Sequence, residues 1–479
     1  MKEVKIIDLT LRDGHQSIAA TRMRTKDMIP VLELIDEAGF YSIEMWGGAT
    51  FDVMHRFLNE NPWERIRIVR KYVKETHCQM LLRGQNLVGY RHYPDDIVEK
   101  FVQKACENGI SFFRIFDALN DVRNLITSIK AAKKYGAEHV QGTICYVISP
   151  VHTIEKYVET AQELAALEVD SICIKDMAGM ISPKVAYDLV KALKKEVGLP
   201  INLHTHYTSG MGSMAILKAV EAGADMVDGD MSPWAVGTAH PCIESIVYAL
   251  EEYGYKTGVN MDVLMELRTR FLEIRKKYQG YIDLLSTIFD TMVLRYQIPG
   301  GMFSNLISQL KEQNALDKLE EVLAEVPRVQ EDMGYPPLVT PTSQIVGVQA
   351  VINVLTGERY KIITKETRDL VKGMYGRTPA PIKEEIIKKI LGDEKPIDCR
   401  PADLLELEFE KRKQELIEAG IENPSDEDVL IYALYPVTGL KFLKGEIEEE
   451  PFPPPAGEVK GEFTVEIDGK KFKVKVGEG

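Results

Sequence analysis

The stretch SICIKDMAG, residues 171–179, combines the pattern of a buried strand with a lysine at its end. Ile172, Cys173 and Ile174 predict a strand that is covered on both faces. Lys175 follows where that strand should end, at a position where an unpaired ammonium group would be costly to bury. The fold must therefore give this lysine a partner or a chemical role.

Seven further segments have a similar short apolar pattern, and helical patterns separate them. Eight strands that alternate with helices over about 250 residues are typical of a TIM barrel. A doubly wound open sheet is the alternative, but no glycine-rich nucleotide loop follows the first strand. The seven other predicted strands are VKIIDLTL (4–11), SIEMW (42–46), QMLLR (79–83), FFRIFDA (112–118), HVQGTICY (139–146), INLHTHY (201–207) and MVDGD (226–230).

After Gly254 the alternation stops, and helix-forming residues dominate. We predict an α/β fold, a TIM (β/α)8 barrel at 1–300 followed by a mainly helical C-terminal domain at 301–447. A Pro-rich charged linker is predicted at 448–458, because it reads EEEPFPPPAGE. Two alternating strands around Asp468-Gly469 predict a hairpin in 459–479. Since a lone hairpin is not a stable domain, we expect this segment to be the start of a truncated one.

Composition limits the class of protein. The 479 residues include 59 basic and 73 acidic side chains, a formal charge of −14, which argues against a nucleic-acid surface. Six scattered cysteines form no C-x-x-C pair, so a disulfide scaffold or a thiolate zinc site is not expected. No signal peptide pattern is present at the N-terminus. These features predict a cytoplasmic enzyme.

Polar residues with catalytic potential follow several of the predicted strands. The active sites of TIM barrels lie at the carboxyl ends of the strands, so these residues should share one end of the barrel. Strand periodicity also places the two histidines of LHTH on one face of their strand. The residues concerned are Asp13, Gln16, Arg83, Lys175, His204 and His206.

The H-x-H pair suggests a metal site, because two neighbouring imidazoles and the Asp13 carboxylate leave coordination places open for a substrate. The alternative is two hydrogen-bonded core histidines and an aspartate that caps a helix. Lys175 could react with carbon dioxide to form a carbamate, an anionic ligand, since burial favours the neutral amine. A Schiff-base lysine and a salt bridge with Asp176 are its alternatives.

Longer motifs identify a family resemblance. They are TLRDGHQS (10–17), WGGATFD (46–52), LLRGQNLVGYRHYPDD (81–96), IKDMAG (174–179), LHTHYTSGM (203–211), PGGMFSNL (299–306), LVTPTSQIVGVQAV (338–351), LTGERY (355–360) and YGRTPAP (375–381). Together they resemble the biotin-dependent carboxyltransferases that act on pyruvate and oxaloacetate. This family includes the oxaloacetate decarboxylase alpha subunit and the pyruvate carboxylase B subunit.

The resemblance implies a role for each site residue. A divalent metal would be held by an aspartate, two histidines and a carbamylated lysine, which are Asp13, His204, His206 and Lys175 here. Arg83 would bind the substrate carboxylate, Gln16 would donate to the keto oxygen, and Thr340 would carry a proton between pyruvate and biotin. Tyr90, Ser343 and Asp52 would lie near the biotin head. Mixed nitrogen and oxygen ligands suit zinc first, with manganese or cobalt as alternatives.

The resemblance also implies partners. The hairpin resembles the start of a biotinyl domain, but the lysine that would carry biotin is not in this sequence. Biotin would be carried either by the rest of a longer chain, which we favour because the linker would tether such a domain, or by another polypeptide. A biotin carboxylase subunit or membrane decarboxylase subunits would complete the reaction, and a homodimer is expected. The direction of the reaction, carboxylation of pyruvate or decarboxylation of oxaloacetate, stays open.

Three rival functions are considered for the same barrel. A metal-dependent aldolase or Claisen-type enzyme would need neither a carbamate on Lys175 nor Thr340. A non-catalytic scaffold that docks a biotin carrier would not need the metal ligands. An amidohydrolase also combines H-x-H with a carbamylated lysine, but there the histidine pair comes early in the chain.

Overall fold

The computed structural model describes residues 2–298, 300–454, 461–467 and 470–476. Eight parallel strands close into a barrel, with β1 paired to both β2 and β8. This confirms the predicted fold class and each of the eight predicted strands. The strands are β1 Lys5–Asp8, β2 Ser42–Gly47, β3 His77–Leu82, β4 Phe112–Ile115, β5 His139–Cys145, β6 Ser171–Asp176, β7 Ile201–Thr205 and β8 Met226–Gly229.

Helices of the barrel surround these strands, and amphipathic spacing explains their placement. In the helix at Pro183–Glu196, for example, the buried residues Ala186, Leu189, Val190 and Leu193 recur with helical spacing. The barrel helices are α1 His15–Ile18, α2 Thr25–Glu37, α3 Gly48–Arg56, α4 Pro62–Tyr72, α5 Asp95–Asn108, α6 Ile126–Lys134, α7 Ile154–Ala166, α8 Pro183–Glu196, α9 Gly212–Ala222 and α10 Ile243–Glu252.

The helical C-terminal region follows, as predicted. Its α-helices are α11 Met261–Lys277, α12 Val293–Tyr296, α13 Gly300–Glu312, α14 Leu319–Asp332, α15 Thr342–Thr356, α16 Lys365–Lys372, α17 Glu384–Leu391, α18 Phe409–Glu418, α19 Asp426–Leu434 and α20 Pro436–Leu443. Short 3-10 turns lie at Gly84–Asn86, Val122–Leu125, Ser232–Trp234, Gln279–Tyr281, Leu284–Thr287, Leu316–Lys318 and Pro401–Leu404.

These C-terminal helices divide between two apolar cores. Phe409, Leu416 and buried residues of α19 belong to the core of the barrel, where α19 packs on α5 and α20 on α3. Residues between Ile298 and Leu391 form a second core, to which the barrel contributes Leu119. The domain limits at 300 and 447 stay predictions. Because Leu119 lies in the segment after β4, the second core contacts the barrel through that segment.

Residues 448–453, at the start of the predicted linker, contact the barrel. The Glu450 amide donates to the carbonyl of Phe57 at 2.8 Å. The guanidinium carbon of Arg24 lies 3.7 Å from the centroid of the Phe452 ring, which also contacts Tyr278 edge-on at 5.2 Å. Arg24 and Phe57 lie in segments that follow β1 and β2, so the chain is held near the rim of the barrel where those strands end.

Beyond this contact the structure describes one further sheet. The antiparallel strands β9 Gly461–Ile467 and β10 Lys470–Val476 pair from Ile467 opposite Lys470. They confirm the predicted hairpin, although its turn at Asp468-Gly469 and residues 455–460 lie outside the described residues. All six cysteines are free. Among the described helices, none combines the length and the apolar character that a membrane span requires.

The contact of Phe452 with Arg24 can be tested by Phe452→Ala. Removing the ring should cost about 1 kcal/mol of cation–π and packing energy, so amide hydrogens in 448–453 should exchange several-fold faster. Hydrogen exchange read by mass spectrometry measures this. Val437→Ala, at a side chain that is 72% exposed, is the control and should leave the segment unchanged. Equal exchange in wild type and Phe452→Ala would contradict the contact.

Candidate active site

A cluster of one carboxylate and three imidazoles lies at the carboxyl ends of β1, β7 and β8. Asp13 belongs to a π-helical turn at Thr10–Gly14 directly after β1, His204 to β7, and His206 follows β7. His240 comes from the loop after β8. Each offers one ligand atom, all four atoms lie within 4.8 Å of one another, and all four residues are buried. The structure therefore brings together three of the four predicted metal ligands, Asp13, His204 and His206, and adds His240; we call these four residues the Asp13 cluster.

The orientation of His204 is fixed from inside the barrel. Its Nδ1 lies 2.7 Å from Oδ2 of Asp228, which is fully buried and also pairs with Arg114. A carboxylate at Nδ1 holds the proton on that nitrogen, so the lone pair is on Nε2 and faces Asp13. Burial together with the charge of Lys175 lowers the pKa of His204 well below its ordinary value, which keeps the ring neutral. Neutral imidazole is the form that binds a metal.

His206 is prepared in the same way. Its Nδ1 donates to the backbone carbonyl of Thr238 at 2.6 Å. Burial lowers the pKa of His206 to about 3. Its Nε2 is buried without a hydrogen-bond partner among the described residues, and the Nε2 of His240 lies 3.1 Å from Oδ2 of Asp13. Buried polar atoms are normally satisfied, so these nitrogens and the Asp13 carboxylate fit a bound divalent cation.

Asp13 is held ionised. Burial raises the pKa of its carboxyl, but neighbouring positive charge, first that of Arg12, outweighs burial, and the pKa lies well below its ordinary value. The Nη2 of Arg12 pairs with Asp13 Oδ2 at 2.7 Å, and its Nη1 donates to Oε1 of Gln16 at 3.3 Å. Gln16 thus lies beside the cluster, whereas donation from its amide nitrogen to a substrate oxygen stays a prediction.

Lys175 lies at the end of β6 with its Nζ 3.0 Å from Nε2 of His204. It is fully buried, and burial lowers the pKa of its ammonium group. The proposed reaction with carbon dioxide requires this neutral amine. The alternative of a salt bridge with Asp176 is wrong, because that carboxylate accepts from the amides of Met180 and Ile181 and from the hydroxyl of Thr205.

Arg83 and Thr340 line one cavity between the barrel and the helical region. The same cavity is lined by Asn86, His92, Asp117, Ala118, Pro341 and Tyr375. The guanidinium of Arg83 donates to the carbonyl of Gly89 at 2.6 Å. A Cβ added at Gly48 would lie 2.3 Å from Nη2 of Arg83, so the second glycine of WGGATFD leaves room for the guanidinium in this position. Thr340 reaches the cavity because its neighbour Val339 packs on Leu81 and Phe116 at the barrel mouth.

None of the three residues predicted near biotin lines this cavity, and their contact with biotin stays a prediction. The guanidinium carbon of Arg83 is 5.2 Å from the ring centroid of Tyr90, whose side chain is 42% exposed. Burial and the charge of Asp52 raise the pKa of Tyr435, and Arg83 and Tyr90 also act on it, so Asp52 shares this neighbourhood. Ser343 follows Thr340 by three residues, and its amide donates to the carbonyl of Val339 at 2.9 Å.

Sequence reasoning missed four residues of the site. His240 lies in the loop after β8, at the end of the barrel where active sites of this fold lie, and this position could have indicated a role in the site. Asp228 points into the barrel, and the alternation of side chains along a strand does not show that it contacts His204. His92 and Asp117 line the cavity of Thr340. Burial lowers the pKa of His92 to about 4 and raises the pKa of Asp117 to about 7.

Comparison with known proteins agrees with this geometry. The model of a conserved carboxylase domain matches residues 293–475, and an HMGL-like model matches 115–270. The pyruvate carboxylase B subunit of Methanocaldococcus jannaschii is 61% identical over 479 residues, covering 99% of this chain and 84% of that protein. The methylmalonyl-CoA carboxyltransferase 5S subunit of Propionibacterium freudenreichii is 49% identical, covering 93% and 88%. The chain belongs to the biotin-dependent carboxyltransferase family.

Two further relatives are named for 2-oxoglutarate and for pyruvate. The 2-oxoglutarate carboxylase large subunit of Hydrogenobacter thermophilus is 47% identical, covering 99% of this chain and 76% of that protein. Among solved structures, the carboxyl transferase domain of Rhizobium etli pyruvate carboxylase with oxamate and biotin has a TM-score of 0.88 and 34% identity, covering 93% of this chain and 78% of that one. The family, the fold class and the enzyme class expected from the sequence are confirmed, whereas the roles of single residues stay predictions.

Asp228→Asn tests the support of His204. The amide nitrogen of asparagine would face Arg114 or the Nδ1–H of His204, so the ring would lose its orientation. Loss of such a partner typically lowers metal affinity by about 10–100-fold. The affinity for zinc, measured by competition with a chelator, gives the result. Asp188→Asn, at a side chain that is 38% exposed on α8, is the control. An unchanged affinity in Asp228→Asn would show that Asp228 does not position the ligand.

Proposed function

We propose that this chain transfers a carboxyl group between a carboxylated biotin carrier and pyruvate, and so interconverts pyruvate and oxaloacetate. The observation that supports this most directly is one cavity lined by both Arg83 and Thr340, at the barrel end that holds the Asp13 cluster. An aldolase on the same barrel would not need Thr340. The relatives named above carry the same type of activity, and those named for pyruvate are among the most similar.

The protein provides charge complementarity for a small oxo acid. The planar guanidinium of Arg83 can bind the substrate carboxylate through two hydrogen bonds. The Gln16 amide can donate to the keto oxygen, where negative charge develops when a proton leaves the methyl group. Asp13, His204, His206 and a carbamate on Lys175 would hold a divalent metal, with zinc the first candidate. When bound, the metal supplies a Lewis acid at the same oxygen.

Thr340 would move the proton. Its hydroxyl can accept the proton of the pyruvate methyl group and give its own proton to the ureido nitrogen of biotin. A hydroxyl is a weak acid, but a relay needs only matched partners at hydrogen-bond distance. Carboxybiotin supplies carbon dioxide when the bond between its ureido nitrogen and the carboxyl carbon breaks, and the proton from Thr340 neutralises that nitrogen. The pyruvate enolate then attacks the carbon dioxide to give oxaloacetate, and the reverse sequence decarboxylates oxaloacetate. Tyr90, Ser343 and Asp52 would contact the biotin head.

The assembly around this reaction belongs to the same proposal. The biotin carrier would be a biotinyl domain, and carboxylation of biotin would need a biotin carboxylase subunit, with membrane decarboxylase subunits as the alternative for the reverse direction. A homodimer and a cytoplasmic location stay predictions. Because one relative is named for 2-oxoglutarate, an assay of carboxyl transfer should compare pyruvate and 2-oxoglutarate as acceptors.

Thr340→Ala is the first test. Removing the hydroxyl should lower biotin-dependent decarboxylation of oxaloacetate by about 10²–10⁴-fold, the usual contribution of a proton-transferring group. The assay follows pyruvate release with free biotin added. Thr269→Ala, at an exposed position of α11, should keep full activity. If Thr340→Ala retained most of its activity, another group would carry the proton and the proposed relay would be wrong.

Lys175→Ala is the second test. The substitution removes the amine that lies against His204, so we expect loss of metal and at least a tenfold loss of decarboxylation. Metal analysis and the same assay measure both effects. Lys184→Ala, at a side chain that is 82% exposed, is the matched control. Full activity and full metal content in Lys175→Ala would remove this lysine from the site.

A further inference from the structure

The three histidines of the Asp13 cluster share one tautomer. In each ring Nδ1 faces an oxygen: Asp228 Oδ2 at 2.7 Å from His204, the Thr238 carbonyl at 2.6 Å from His206, and the Thr205 carbonyl at 3.0 Å from His240. A carbonyl oxygen only accepts, so Nδ1 of His206 and of His240 must carry a proton. In a neutral imidazole the other nitrogen, Nε2, then carries a lone pair.

These Nε2 atoms converge on the Asp13 carboxylate. His240 Nε2 lies 3.1 Å from Asp13 Oδ2, and the Nε2 atoms of His204 and His206 lie 3.8 Å from it. Lone pairs of neutral rings and a carboxylate repel one another at such distances unless a positive charge lies between them. Two donors bound at ~2.1 Å to one ion lie about 3.0–3.4 Å apart, which matches the separation of His240 and Asp13.

We infer that Nε2 of His240 is a direct ligand of the divalent metal, which makes the protein's donor set three imidazoles and one carboxylate. The inference rests on the metal site of the proposed function and adds a ligand that the sequence did not suggest. A carbamate on Lys175 would supply a further oxygen, so the inference does not depend on it.

The loop after β8 is built to hold this histidine. The His240 amide donates to Oδ2 of Asp230 at 3.0 Å, and the Val236 amide donates to the His240 carbonyl at 2.8 Å. Thr238, two residues earlier, provides the carbonyl that orients His206 and anchors its own hydroxyl on the carbonyl of Ser17 at 3.0 Å. One short loop therefore orients two of the three imidazoles.

In the alternative arrangement, Nε2 of His240 carries a proton instead of binding the metal. Burial lowers the pKa of His240, but the charges of Asp13 and Asp230 outweigh burial and raise it. An imidazolium at this position would donate to Asp13 from Nε2 and to Thr205 from Nδ1. His240 would then support Asp13 without binding the metal, and only two imidazoles would reach the ion. The two arrangements differ in the number of imidazoles on the metal.

X-ray absorption at the cobalt edge of the Co²⁺-loaded full chain counts imidazole ligands. We expect three in the wild type and two in His240→Gln, together with at least a tenfold lower affinity for Co²⁺. His77→Gln, on a partly exposed histidine at the start of β3, is the control and should keep three. Two imidazoles in the wild type would overturn the inference even if His240→Gln failed to fold.

The outcome separates the inference from the proposed function. Wild type with two imidazoles and normal dependence of activity on Thr340 would refute the role of His240 and leave carboxyl transfer standing. Three imidazoles with no carboxyl transfer to pyruvate would support the ligand and refute the reaction. A chain that binds no Co²⁺ would overturn both the metal site and the inference.

Discussion

A buried network of charges inside the barrel supports the whole site. Arg114, which is fully buried, pairs with Asp228 at 2.5 Å and donates to Gln141 and Asn202, and Asp228 in turn holds His204. On the other side of the interior, Glu44 pairs with Arg12, which pairs with Asp13. The predicted metal ligands Asp13 and His204 are therefore positioned by side chains that are buried in the interior of the barrel.

This interior departs from the usual filling of a TIM barrel by Val, Ile and Leu. Buried ion pairs are seldom the most stable choice, because desolvation offsets much of their attraction. The network contains two guanidinium groups, of Arg12 and Arg114, and three carboxylates, of Glu44, Asp13 and Asp228. A net negative charge remains beside the imidazoles, which favours a cation there. We attribute the retention of these polar residues to the site rather than to stability.

The sequence predicted those features that depend on local pattern. Apolar runs located the eight strands, and the parity of LHTH placed His204 and His206 on one face with Lys175 nearby. Asp228 was missed because its role depends on contacts across the barrel interior, and His240 was missed because it lies in a loop. The periodic patterns of strands and helices predict neither. The contacts of Phe452 were missed for the same reason, since its partners Arg24 and Tyr278 are distant in sequence.

The second core is necessary because the barrel alone does not supply Thr340. The segment after β4 connects the two parts: the amide of Arg377 donates to Asp121 at 2.7 Å, and Asn124 donates to the carbonyl of Tyr375 at 3.0 Å. Val339 packs at the barrel mouth and fixes the next residue, Thr340, over the cavity of Arg83. In the proposed function, the barrel would stabilise charge on the substrate, and the helical region would provide the hydroxyl of Thr340 that moves the proton. Neither part holds both functions, so a change at the interface of Asp121 and Arg377 would act on catalysis without touching the substrate.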